Sequence, residues 1–111
     1  MRTDMLIDGR FVAGEGAALP VLDPATGETI ASVPEATDAQ IEAAAAAAHR
    51  AFDGWSRTPP AERAARLLAL AAAVEAERDA LADLESAHGG KPLESAKADE
   101  MPATIDVFRF M

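Results

Sequence analysis

Six consecutive alanines, Ala43–Ala48, run through the middle of a chain that carries 28 alanines in 111 residues. Alanine is the strongest helix former because it has no side-chain entropy to lose, but its single methyl group buries little apolar surface. A chain of this kind makes helices readily and lets them approach closely. It cannot fill a deep core: Leu, Ile, Val and Phe number 22, roughly the 20% level below which packed cores become doubtful. The length suffices for one domain. Charges are interspersed rather than blocked, which separates the sequence from a disordered tail.

With 10 basic and 19 acidic residues, the net charge is −9. Such a chain has no basic surface with which to displace counterions from phosphate backbones, so nucleic acid is not an expected partner. Cysteine is absent, which excludes disulfides, thiolate metal sites and a thiol nucleophile within the chain. The longest apolar run, Ala43–Ala48, ends at His49 and Arg50 and is far too short to span a membrane. Met1-Arg2-Thr3-Asp4 does not begin a secretory signal, and the expected location is the cytoplasm.

The first third has strand character. Met5-Leu6-Ile7 and Arg10-Phe11-Val12 flank Asp8-Gly9, a pair suited to a two-residue type I′ hairpin. A loop with Gly14 and Gly16 leads to Leu19-Pro20-Val21-Leu22. Asp23-Pro24-Ala25-Thr26-Gly27 then forms a turn, and Thr29–Val33 a short alternating strand before Pro34. The expectation is an antiparallel β-meander over residues 1–35.

After Pro34 the period becomes helical, and residues 36–111 are expected to form long helices. Thr37 and Gln40 fit a capping box. Ile41, Ala45, Ala48, Phe52 and Trp55 recur as one apolar stripe, with Gly54 as the expected helix end. Thr58 as cap and Pro59 at the first position are expected to open a helix of nearly thirty residues, its stripe made by Leu67, Leu70, Ala71, Val74, Leu81 and Leu84, down to Gly89-Gly90. Beyond it, the spacing predicts a helix from Pro92 to about Glu100, a break at Pro102, and a second helix with Ile105 and Phe108 on one face. The apolar Phe110-Met111 end reads as a cut chain. The fold class is therefore an α+β fragment.

No catalytic constellation is present. His49 lies in the alanine helix and His88 before Gly89-Gly90, where a helix C-terminus favours a cation or a solvated cap. The serines lie in no nucleophile elbow, and Gly14-Glu15-Gly16 lacks the third glycine and the strand-to-helix setting of a dinucleotide fingerprint. Carboxylates remain. Asp99, Glu100 and Asp106 flank the proline, and Asp99 and Asp106 would share a face of an unbroken helix. Such residues could bind an ammonium group or form a solvated face.

Read in order, five segments resemble the N-terminal part of the NAD(P)-dependent aldehyde dehydrogenases. They are Leu6-Ile7-Asp8-Gly9, Asp23-Pro24-Ala25-Thr26-Gly27-Glu28, Ala51-Phe52-Asp53-Gly54-Trp55, Pro60-Ala61-Glu62-Arg63 and Gly90-Lys91-Pro92-Leu93. Asp99-Glu100-Met101-Pro102 with Ile105–Phe110 looks closest to the γ-aminobutyraldehyde dehydrogenases of putrescine breakdown; betaine-aldehyde and other aminoaldehyde dehydrogenases are near neighbours.

The resemblance implies the start of an α/β, Rossmann-like cofactor domain in an oligomeric, cytoplasmic, NAD-dependent parent acting on a small aldehyde. The parent's cysteine nucleophile, glutamate base, oxyanion donors and NAD site would all lie downstream, so that the catalytic and oligomerisation parts are missing and the fragment is inactive and binds no cofactor. By the same resemblance Asp99 corresponds to an acidic residue near the substrate entrance, with Pro102 where some relatives carry a second acid; Glu100 or Asp106 would then have to compensate. It also implies a monovalent-cation site using the backbone carbonyls of Val21 and Leu22 and the position of His88, weakened because a hard cation wants oxygen ligands and imidazole offers none. The alternative is a stand-alone helical interaction or oligomerisation module.

Overall fold

Asp8 and Gly9 carry φ of +51° and +73°, the two positive angles a type I′ turn requires. β1 (Met5–Ile7) and β2 (Arg10–Val12) close on that turn as an antiparallel hairpin pairing Leu6 with Phe11. The computed structural model describes residues 2–111, which form two units. One holds the chain up to Leu22 together with Glu28–Arg57; the other holds Asp23–Gly27 and Thr58–Met111.

In the first unit, β3 (Ala18–Leu22) pairs antiparallel with β4 (Thr29–Pro34), with a register shift between Val21 and Leu22. The expected meander is thus two hairpins, each a two-stranded sheet of its own. α1 (Asp38–Ser56) starts on the expected capping box: Gln40 N donates to Thr37 Oγ1 at 3.4 Å, and Thr37 N donates to Gln40 Oε1 at 3.1 Å. Gln40 does more. Its Nε2 donates to the Ala13 carbonyl at 2.9 Å and its Oε1 accepts from Glu15 N at 3.2 Å, so one buried amide fastens the glycine loop to the helix start.

This anchor sets the rotation of α1, and it corrects the expected apolar face. Gln40 and Ala47 are buried, whereas Ile41 (57% exposed), Phe52 (62%) and Trp55 (44%) point outward together with Ala45 and Ala48. The methyl-only side allows close approach; the bulky stripe is the outer face. Gly54 does not end the helix either, since its φ is not positive and α1 continues to Ser56.

In the second unit, α2 (Pro60–Ala76) begins one residue later than the expected Thr58 cap. Pro59 precedes Pro60, whose ring disfavours helical backbone at the residue before it, and Pro59 is accordingly extended at φ −55°, ψ 144°. Pro60 takes the first helical position, and Thr58 instead offers its carbonyl to Arg63 Nη1 at 3.0 Å. The expected single helix to Gly89 is two. It bends at Glu77 (φ −101°, ψ 9°), and α3 (Arg78–Gly89) follows. The bend gives each half its own partner: α2 packs on α5 (Met101–Phe110), and α3 on the segment preceding α5.

That segment is the second departure. After α4 (Leu93–Ser95) the helix does not break at Pro102 but widens into a π-turn, Ala96–Glu100, that runs directly into α5. Ala96 and Ile105 are 0% and 3% exposed, nine positions apart. At about 100° per residue, an unbroken α-helix sets such positions on opposite sides, and one residue absorbed in a π-turn leaves roughly 80° between them. The π-turn keeps both in the core. The other buried apolar residues here are Ala71 of α2 and Ala82 of α3. Helices meeting through methyl groups are what the alanine content predicts.

Candidate functional site

The π-turn is the local answer to Pro102. A proline inside a helix has no N–H, and its ring crowds the carbonyl four residues back, here that of Ala98. The backbone responds one turn early: Met101 N donates to the Ala96 carbonyl, five residues back instead of four. The Lys97 carbonyl, five residues before Pro102, then has no main-chain donor from that proline. Arg78 supplies one from α3, its Nη2 donating to the Lys97 oxygen at 3.2 Å.

The three carboxylates expected at the site stand on this stretch, each with its own partner. Asp99 is exposed, and its Oδ2 accepts from the Ser95 hydroxyl at 3.1 Å. Glu100 pairs with Lys91 at 3.0 Å, and Lys91 also reaches Glu85 at 3.9 Å. Asp106 accepts from Arg109 at 3.3 Å, and the same guanidinium holds Glu75 of α2 at 2.6 Å. Among the described residues, no three His, Asp or Glu side chains gather to hold a metal ion. Glu100 and Asp106 are thus ion-paired, whereas the partner of Asp99 is a neutral hydroxyl.

Val21 and Leu22 stand at the end of β3, at the register shift of the ladder. His88 is exposed in the last turn of α3, which Gly90 closes in the left-handed conformation (φ +70°), its N–H donating to Ser86 O at 3.0 Å. The sequence suggested a solvated cap at His88; the capping residue is Gly90, and His88 is an exposed residue of the last turn. Ser86 Oγ also donates to the Lys91 carbonyl at 2.7 Å, tying the Gly-Lys-Pro loop to α3.

One feature of the first unit was not legible from spacing. An open groove of about 320 Å³ lies between Leu6–Gly9 of the hairpin and Ala44, Ala47, Ala48 and Ala51 of α1. Its ionisable lining residue is Asp8, paired at 3.3 Å with Arg50. An apolar groove with a carboxylate does not suit a dinucleotide diphosphate. Nor do Gly14 and Gly16: a Cβ on Gly14 would collide with the Pro34 carbonyl oxygen, and Gly16 N donates to Glu35 O at 2.9 Å. These glycines serve close backbone packing. Neither the groove nor this glycine loop fits NAD. No helix of the described residues is long and apolar enough to cross a membrane.

Comparison with known proteins gives one consistent picture. A benzaldehyde dehydrogenase of Antirrhinum majus is 41% identical over 109 residues, covering 96% of this chain and 20% of that protein. A betaine aldehyde dehydrogenase of Cereibacter sphaeroides is 39% identical over 105 residues, covering 94% and 22%. Among solved structures, an aldehyde dehydrogenase from Bacillus cereus in complex with NAD+ superimposes with a TM-score of 0.92 at 36% identity, over 99% of this chain and 23% of that one. The chain thus spans about a fifth of the length of the curated relatives it matches. The model of the aldehyde dehydrogenase family matches residues 11–111, and the chain belongs to that family.

Proposed function

We propose that this chain is the N-terminal part of the cofactor-binding domain of an NAD-dependent aldehyde dehydrogenase, cytoplasmic and homo-oligomeric, whose substrate is 4-aminobutanal. The aldehyde is oxidised to 4-aminobutanoate, its hydride passing to NAD and water supplying the second oxygen. On this reading the nucleophile and the NAD site belong to the rest of the parent: this chain has no cysteine, and neither its apolar groove nor its glycine loop suits the cofactor.

The observation that carries the substrate reading is the unequal pairing of the three carboxylates. Asp99 is exposed and receives only a hydroxyl hydrogen bond among the described residues, so its charge is available to an ammonium group. Glu100 and Asp106 would first have to leave Lys91 and Arg109. The relatives supply the competitors: betaine aldehyde also carries a cation, benzaldehyde does not. The monovalent-cation site that would use the carbonyls of Val21 and Leu22 we read as weakened or lost, because His88 brings no side-chain oxygen to its position.

The test is D99A in the full-length enzyme, assayed with 4-aminobutanal, betaine aldehyde, butanal and benzaldehyde. Losing one partly exposed charge contact removes about 0.2–1 kcal/mol, more if the channel is dry. The expected result is a several-fold fall in kcat/KM for the cationic aldehydes, shrinking at high salt, with uncharged aldehydes unchanged. Equal small effects on all four would make Asp99 a solvated helix residue. A wild-type preference for betaine aldehyde or benzaldehyde would reassign the substrate.

A second reading, a stand-alone interaction or oligomerisation module, is favoured by the outward apolar stripe of α1. A reading frame that continues past Met111 to a cysteine separates the two.

A further inference from the structure

Asp99 sits inside the π-turn Ala96–Glu100, a backbone conformation that an ordinary helix does not take up. Two consequences of Pro102 meet there: the crowding of the Ala98 carbonyl and the loss of a donor for the Lys97 carbonyl. The nearest alternative is ordinary α-helical pairing of Met101 with Lys97, which gives that carbonyl a donor but passes the missing one to the Ala98 carbonyl under the proline ring. That change would rotate Asp99 relative to α5, since the π-turn Ala96–Glu100 contains it. Arg78 adds to the side of the π-turn from outside the helix, beside the burial of Ala96 and Ile105. Its Nη2 holds the Lys97 oxygen at 3.2 Å, and its other neighbour is the adjacent Asp79 carboxylate at 3.9 Å. Arg78 opens α3, directly after the bend at Glu77, so the bend delivers the guanidinium to the turn.

We propose that Arg78 is a positioning residue for substrate selection: by replacing the hydrogen bond Pro102 cannot make, it holds the π-turn that sets where the Asp99 carboxylate stands. The proposal rests on the reading of Asp99 as the ammonium partner. It has a sign that charge alone does not give. Removing a cation from the neighbourhood of Asp99 makes the region more negative and, by Coulomb attraction, would strengthen binding of a cationic aldehyde. Loss of the hydrogen bond displaces Asp99 and weakens it.

The experiment compares R78A, R78K and D99A in the full-length enzyme with 4-aminobutanal and butanal. The expected outcome for R78A is a fall in kcat/KM for 4-aminobutanal of about three- to tenfold, the range that one partly exposed hydrogen bond supports, carried by KM. Butanal turnover stays within about twofold, showing the variant folded, and R78K, which keeps a charged donor, recovers most of the loss. If D99A is selective but R78A is neutral, raises 4-aminobutanal turnover or lowers both substrates equally, the positioning role falls while the Asp99 reading stands. If D99A is not selective, the Asp99 reading falls and the positioning role with it.

Discussion

Gly90 lies so close to Pro24 that a Cβ on Gly90 would stand 2.7 Å from the proline Cγ. The same glycine is the left-handed cap of α3, at φ +70°. Two demands therefore meet at one residue. Only a residue without a side chain takes this angle freely and leaves room for the turn at Asp23–Gly27, which Asp23 Oδ1 braces by accepting from Ala25 N at 2.7 Å and Thr26 N at 3.3 Å.

Gly90→Ala should therefore lower the unfolding midpoint of the full-length enzyme. The left-handed angle alone costs about 1–2 kcal/mol for an L-residue, before Pro24 is displaced. Gly54→Ala is the opposite case, because a Cβ there meets nothing within 4 Å and the residue lies inside α1. It should stabilise by about 0.5–1 kcal/mol. Two shifts of the same sign in thermal unfolding would contradict this pairing.

Gln40→Glu should destabilise at neutral pH, by about 1–3 kcal/mol, because a buried carboxylate faces the Ala13 carbonyl where the amide donated. Burial opposite that carbonyl raises the folded-state pKa of the new carboxyl above its unfolded value. The folded state then binds the extra proton first, so the loss shrinks as pH falls through that range. Unfolding midpoints at pH 7 and pH 5, referenced to wild type, check both the size and the slope.

The 111-residue chain alone should not oxidise 4-aminobutanal in the presence of NAD, since it has no thiol and the apolar groove beside α1 does not suit the cofactor. NADH absorbance is the readout. Turnover above that of a preparation from cells lacking the chain would sink the reading of this sequence as a non-catalytic part.

The outward stripe of α1 should make the isolated chain self-associate or bind a hydrophobic dye, because Ile41, Phe52 and Trp55 form a bulky apolar row on one face. Phe52→Ser with Trp55→Ser should reduce both signals. A dye-silent, monodisperse monomer in sedimentation would contradict it.

Local signals in the sequence carried far. Asp8-Gly9 specified the hairpin turn, Thr37 and Gln40 the capping box, and the change of period at Pro34 the switch from strands to helices. What periodicity did not convey was which side of α1 is buried. A stripe rule ranks Ile, Phe and Trp above alanine, but Gln40 anchors the helix the other way round. The consequence of Pro102 was also misread, because widening the helix and breaking it answer the same missing N–H. Only the distant Arg78 and the buried pair Ala96 and Ile105 decide between them. Asp99, Glu100 and Asp106 were visible as acids, but their partners Ser95, Lys91 and Arg109 set which charge is left over.

The π-turn also governs how this stretch of chain can change length. A regular helix that loses one residue turns everything beyond it by about 100°, and its buried face rotates out of the core. Between Ala96 and Ile105 one residue is already looped out. Dropping the codon for Ala98, with Pro102 replaced at the same time, would leave those two side chains on one side at ordinary α spacing. The same deletion in α2, which has no residue looped out, would rotate one part of the helix away from its packing on α5. A one-residue gap among homologous sequences therefore belongs at Ala96–Glu100 before anywhere else in these helices.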